Sequence, residues 1–152
     1  MNQHLTERVG LADVARSAYG ESNRLAGALL TLVIVELTMA TAYIHLSLGG
    51  LLFTLNAVGY LGLAAAYVAS AAVPIFRRFG WLTRIGLAGY TALTIGAYLA
   101  LGPYFDLGWI TKGIEVAIIG LVFVELLSAY GDLGGLWRAA VGSLRLSRVG
   151  KD

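Results

Sequence analysis

The stretch LAGALLTLVIVELTMATAYIHLSL, residues 25–48, carries a single carboxylate, Glu36, and is otherwise apolar or weakly polar until His45 near its end. About 20 such residues in a helix, each rising about 1.5 Å, cross the roughly 30 Å hydrocarbon core of a bilayer. A helix is the form the bilayer demands, because no water is available there to unpaired backbone groups. This stretch reads as a membrane span, and three more follow it, at about 51–75, 82–102 and 109–130. The 152-residue chain is 58% hydrophobic and only 13% charged, which is more apolar than a soluble domain. The expected architecture is an all-α membrane protein: an antiparallel four-helix transmembrane bundle over residues 25–130. A polar cytoplasmic leader (1–24) precedes it, and a C-terminal interfacial amphipathic helix with a basic tail (131–152) follows.

The leader holds Glu7, Arg8, Asp13, Arg16, Glu21 and Arg24 ahead of a full-length span. A signal peptide would instead bring a short apolar region near the start, so the first span is expected to be retained. Leu5, Val9 and Ala12 fall on one face of a candidate short helix in the leader, and Ser22 or Asn23 is a candidate cap for the first span. Orientation follows from lysine and arginine. Arg8, Arg16 and Arg24 in the leader, Arg77, Arg78 and Arg84 in the second connection, and Arg138, Arg145, Arg148 and Lys151 in the tail all belong on one side. The chain is therefore read as an integral protein of a prokaryotic plasma membrane with both ends cytoplasmic. Trp81, Tyr130 and Trp137 would lie at the inner interface, and Tyr104 and Trp109 at the outer one.

Gly49 and Gly50 shorten the first outer turn and predict that spans one and two are antiparallel neighbours. The small-residue strips Gly62, Ala66, Ser70 and Ala88, Ala92, Gly96, Ala100 have the four-residue spacing of close helix packing. They are expected to be internal seams, with a homo-oligomer contact as the alternative. In the tail, Leu133, Leu136, Trp137, Ala140, Val141 and Leu144 recur at helical spacing. Trp137, Arg138, Arg145 and Arg148 are the candidate contacts with inner-leaflet lipid or with a partner protein.

Charged groups in lipid cost about 2.5–3.5 kcal/mol or more on insertion scales, which makes an intramembrane carboxylate a candidate for function. Glu36 is the clearest, with Tyr43 two turns along the same face. Glu125 sits in span four, and Asn56 is a candidate donor to Glu36. The proton or ligand candidates are thus Glu36, Glu125, Tyr43 and Asn56, the structural alternative being hydrogen bonds that lock helices together. The echo between Leu32-Val-Ile-Val-Glu36-Leu37 and Leu121-Val-Phe-Val-Glu125-Leu126 raises the possibility of an inverted repeat with paired carboxylates. His45, Asp106, Lys112 and Glu115 form a candidate outer polar cluster, able to bind a ligand or relay protons. No catalytic residue and no metal ligand set is assigned, and the cofactor is left open. Without cysteine there is no thiolate chemistry, and His45 is the only histidine within a span, whereas a b-type haem calls for two axial ligands.

Four spans with a glutamate midway through the first are similar in layout to the small multidrug resistance transporters, which are shorter and lack the long amphipathic tail. No residue role carries over from that layout. The expected function is a non-catalytic accessory or assembly subunit of a larger membrane complex, with membrane lipids, other membrane-protein subunits or a second copy as partners and nucleic acid excluded. One alternative is a small proton-coupled transporter using Glu36. A second is a protein that binds a quinone, pigment or haem between its helices.

Overall fold

The computed structural model describes the backbone of residues 3–145 and the side chains of 17–143. It is all-helical over those residues: α1 (Gln3–Leu48), α2 (Leu51–Ala72), α3 (Pro74–Arg77), α4 (Gly80–Leu101), α5 (Asp106–Tyr130) and α6 (Leu133–Arg145). Among the described residues, three helices are long and apolar enough to cross a membrane: the Ser17–Leu48 part of α1, then α2, then α4. This is the composition of an integral membrane protein. α5 is longer than α2 or α4 and carries Asp106, Lys112, Glu115 and Glu125.

The chain divides into two compact units, Met1–Leu32 and Val33–Asp152. In the first, every side chain from Ser17 to Leu29 is exposed. The helix passes through Ser22 and Asn23 without a break, so neither caps the start of a helix as expected. Those residues are preceded by helical backbone whose carbonyls already accept their amides, and a cap has no orphan group to satisfy. Leu5, Val9 and Ala12 lie outside the described side chains.

The second unit is built on α4, which packs against α2, α5 and α6. α2 buries Ala57, Tyr60, Ala64, Tyr67 and Ser70. That spacing runs along one face of a helix, and it alternates small residues with tyrosines so that the rings fit beside the backbone. The expected seam Gly62, Ala66, Ser70 is therefore corrected: only Ser70 is buried, while Gly62 faces open space. Along α4, Ala92, Gly96 and Ala100 are exposed as well, and the buried positions are Gly80, Leu87, Thr91 and Thr94. Within this unit α1 turns Ile34, Thr38, Thr41, Ala42 and His45 inward.

Two glycine turns set the helix ends. Gly49 and Gly50 have φ of 70° and 82°, a left-handed region that side chains with a Cβ enter only at a cost, and they reverse the chain between α1 and α2. Gly131, at φ 75°, ends α5 by donating its N–H to the Leu127 carbonyl at 2.8 Å. Pro74 opens α3 after α2 stops at Ala72, ahead of the expected end at 75.

Polarity is distributed in the opposite sense to a water-soluble protein. Ile110, Val116, Phe123 and Val124 of α5 are exposed, whereas its Lys112, Glu115 and Glu125 are buried.

Candidate functional site

The buried face of α5 brings Lys112 and Glu115 together one turn apart. Lys112 Nζ lies 2.5 Å from Glu115 Oε2 and 3.4 Å from the Thr94 carbonyl. Thr94 Oγ1 is 3.0 Å from the same carboxylate oxygen, and Tyr60 Oη is 2.8 Å from Thr94 Oγ1. Helices α2, α4 and α5 thus meet in a hydrogen-bonded chain from phenol to hydroxyl to carboxylate to ammonium. Glu115 and Tyr60 are fully buried, and Lys112 and Thr94 nearly so. Charges removed from water to this degree persist only when paired, and here a lysine and a glutamate cancel each other.

His45 enters from α1. Its Nδ1 is 2.8 Å from the Thr41 carbonyl; a carbonyl only accepts, so Nδ1 carries the hydrogen. Nε2 is left facing Glu115 Oε1 at 3.8 Å, and Oε1 has no hydrogen-bond partner among the described residues. The imidazole ring also packs on Tyr60, at 5.6 Å between centroids, and on Phe53, at 6.2 Å.

Beside this network lies a cavity of about 350 Å³. His45, Thr94 and Lys112 form its polar end, and Leu52, Leu55, Leu93 and Leu101 its apolar walls. Asn56 and Tyr90 also border it, joined to one another by a 2.7 Å hydrogen bond from Tyr90 Oη to Asn56 Oδ1. Tyr98 stands between Lys112 and the 102–105 turn. The ammonium lies 5.4 Å from the Tyr98 ring centroid, the phenol donates to the Phe105 carbonyl at 3.3 Å, and the ring packs edge-on against Trp109 at 5.6 Å. Gly108 leaves the space for this ring, because a Cβ there would strike the Tyr98 phenol. Apolar walls with a few convergent polar groups at one end suit a small molecule with a greasy body and a polar head.

A second charged cluster lies at the far end of the same helices. Arg84 Nη2 is 2.7 Å from Glu125 Oε1, and the Tyr67 phenol donates to Glu125 Oε2. Arg84 also donates to the Gly80 carbonyl at 2.9 Å, and its guanidinium lies 5.5 Å from the Tyr67 ring centroid. Nearby, Trp81 Nε1 donates to Ser143 Oγ at 3.2 Å and ties α6 to the start of α4. Both carboxylate oxygens of Glu125 are thus engaged, whereas Arg84 Nε is buried without a hydrogen-bond partner among the described residues.

The residues singled out from sequence fall into distinct places. His45, Lys112 and Glu115 come together, while Asp106 is exposed on the first turn of α5. Glu125 pairs with Arg84 and Tyr67, whereas Glu36 and Tyr43 lie on the exposed face of α1. The two glutamates of the candidate repeat therefore occupy unlike environments. Asn56 accepts from Tyr90 instead of donating to Glu36. On α6, Leu136, Ala140 and Val141 turn inward, while Leu133, Trp137 and Arg138 are exposed. The side chains of Leu144, Arg145 and Arg148 lie outside the described residues. Sequence reasoning missed Tyr60, Thr94, Tyr67, Tyr98 and the structural role of Arg84. The tyrosines at 60 and 67, seven residues apart and flanked by alanines at 57 and 64, were the available signal.

No protein-family model, curated protein or solved structure matches the chain.

Proposed function

We propose that the chain is a four-span integral membrane protein that holds a small amphipathic molecule in the cavity beside Lys112 and His45. In this reading α5 is the fourth span, the cavity lies toward the outer leaflet, and the arginine-rich end with α6 lies at the cytoplasmic face. Support for α5 crossing comes from the inward direction of Lys112, Glu115 and Glu125 and the apolar character of its exposed side. Support for the orientation comes from Arg77, Arg78, Arg84 and Arg138 gathering at one end. The exposed Leu133 and Trp137 of α6 fit contact with inner-leaflet lipid.

The observation that carries the functional reading is the cavity of about 350 Å³ with one charged end. It lies at the small end of ligand sites, which run from about 300 to 1,000 Å³. Leucines form much of the lining, so a ligand arriving from the bilayer can place its tail along Leu52, Leu55, Leu93 and Leu101 and its head at Lys112. Lysine has three donors; the Glu115 carboxylate and the Thr94 carbonyl engage two, and one remains for a ligand. The test is the identification, by mass spectrometry, of small molecules that copurify from nonionic detergent, compared between the native chain and Ala97→Phe, which puts a ring into the cavity wall. A molecule retained by the native protein at about one per chain and lost from the variant supports the site. Equal retention by both refutes it.

The subunit reading has one observation of its own. Glu36 is exposed on α1 at mid-span depth, where lipid gives a carboxylate no partner. A helix of another subunit offering a donor or a cation to Glu36 would satisfy it. Loss of a stoichiometric partner on Glu36→Leu, with an unchanged melting temperature of the isolated chain, is the result expected of an assembly contact.

A further inference from the structure

The chemical class of the ligand follows from the proton count around His45. Tyr60 from α2 packs on its ring and Glu115 from α5 faces Nε2; Tyr90 and Thr94 from α4 and Lys112 from α5 line the same cavity, and Glu36, on its own helix, lies on the exposed side. Nδ1 is committed to the Thr41 carbonyl. A neutral imidazole then presents a lone pair at Nε2 to Glu115 Oε1, another acceptor, at 3.8 Å, and Oε1 is buried with no hydrogen-bond donor among the described residues. Both residues are more than nine-tenths buried, so bulk water does not relieve the mismatch. One additional proton does, as Nε2–H pointing at Oε1 or as a carboxyl O–H pointing at Nε2.

The charge is the same whichever atom holds that proton. Before it arrives, Lys112 and Glu115 cancel and His45 is neutral. Afterwards the cluster carries one net positive charge beside an apolar cavity that Lys112 itself lines. A neutral ligand leaves that charge uncompensated in a low-dielectric site, whereas a singly charged anion cancels it.

We propose that the cavity takes an amphiphile with one negative charge in its head group, bound together with one proton that the His45–Glu115 pair takes up. This rests on the reading of the cavity as a ligand site. Anion and proton are then linked: each raises the affinity of the other. Because the complex holds one more proton than the free site, affinity rises as pH falls, by about tenfold per pH unit while the free site is unprotonated.

The test uses the full chain in nanodiscs and decanesulfonate as probe, because its head group stays anionic across the working range and leaves the protein as the only proton acceptor. Calorimetric titration in buffers of different ionisation enthalpy counts the protons, and decanol serves as the neutral control. The expected result is saturable binding of decanesulfonate with uptake of about one proton per anion, and at least about tenfold weaker binding of decanol. Glu115→Gln provides the decisive variant. Its amide can accept from Lys112 and donate to His45 Nε2, so the cluster is positive without added protons, and decanesulfonate should bind with no proton uptake and no pH dependence. Equal affinity for decanol and decanesulfonate, anion binding without proton uptake in the native chain, or unaltered uptake in Glu115→Gln overturns the inference while leaving the cavity as a ligand site. Absence of binding by both probes, with neither displacing a copurified molecule, overturns the cavity reading itself. Titrations in phosphatidylcholine nanodiscs with and without phosphatidylglycerol separate the two sources of such a head group. Competition points to a bilayer lipid, and its absence to an amphiphile delivered from solution.

Discussion

Replacing Arg84 by leucine isolates one buried charge pair, Arg84 with Glu125. The guanidinium meets Glu125 at 2.7 Å, with the two side chains 16% and 8% exposed, and Arg84 also donates to the Gly80 carbonyl. A hydrogen bond to a charged group contributes about 1.5–3 kcal/mol net. Removing one partner from a buried pair costs about 3–5 kcal/mol, because the survivor is stranded. Partial exposure of Arg84 puts the expected loss at about 3 kcal/mol, the lower end of that range. Glu125 would keep the Tyr67 phenol as a donor, which does not neutralise it. The double variant Arg84→Leu with Glu125→Leu strands no charge and should be less destabilised than Arg84→Leu alone, since apolar replacement of both partners is often neutral. Equilibrium unfolding by SDS in mixed micelles, followed by tryptophan fluorescence, gives the four free energies of the native chain, Arg84→Leu, Glu125→Leu and the double variant. A loss below about 1 kcal/mol for Arg84→Leu, or a double variant that loses the sum of the singles, would refute the coupling.

Three further outcomes follow from the geometry. Gly108→Ala drives a methyl into the Tyr98 phenol and should cost about 1–3 kcal/mol in the same unfolding titration while lowering occupancy of the cavity; a stable variant with normal occupancy would contradict the assigned wall. Gly59→Ala meets the Tyr90 phenol and should release it from Asn56, visible as a changed tyrosine environment in near-ultraviolet circular dichroism; an unaltered spectrum would contradict the contact. The chain has no cysteine, so Ser47→Cys and Asp132→Cys can be labelled separately with a membrane-impermeant maleimide in intact cells. Residue 47 should react from outside and residue 132 only after lysis; the reverse pattern would invert the topology.

Three of the four expected apolar stretches were legible because about 20 consecutive greasy residues leave few alternatives, and the turn between α1 and α2 because two adjacent glycines sit between two such stretches. The start of the first helix was not, since Ser22 and Asn23 cap a helix only where one begins, and α1 begins well before them. The small-residue strips misled for a similar reason. Gly62 and Gly96 have the right spacing, yet their faces are turned outward, and Ala57 and Ala64 make the close approach that admits Tyr60 and Tyr67. Lys112 and Glu115 were readable as a pair from local spacing. Thr94 and Arg84 were not, because they join Glu115 and Glu125 across 21 and 41 residues of sequence, and such pairings depend on how each helix is rotated. Glu36 drew attention for its depth, a property of sequence position alone; whether it points inward depends on that same rotation.

The most direct test of the central claim is an experimental density map of the chain in a lipid nanodisc, purified without added amphiphile. The account predicts an elongated feature between α2 and α4, with its head within hydrogen-bonding distance of Lys112 Nζ and its tail along Leu52 and Leu93. A cavity closed by side chains, or one holding only water against Lys112 and His45, would contradict it.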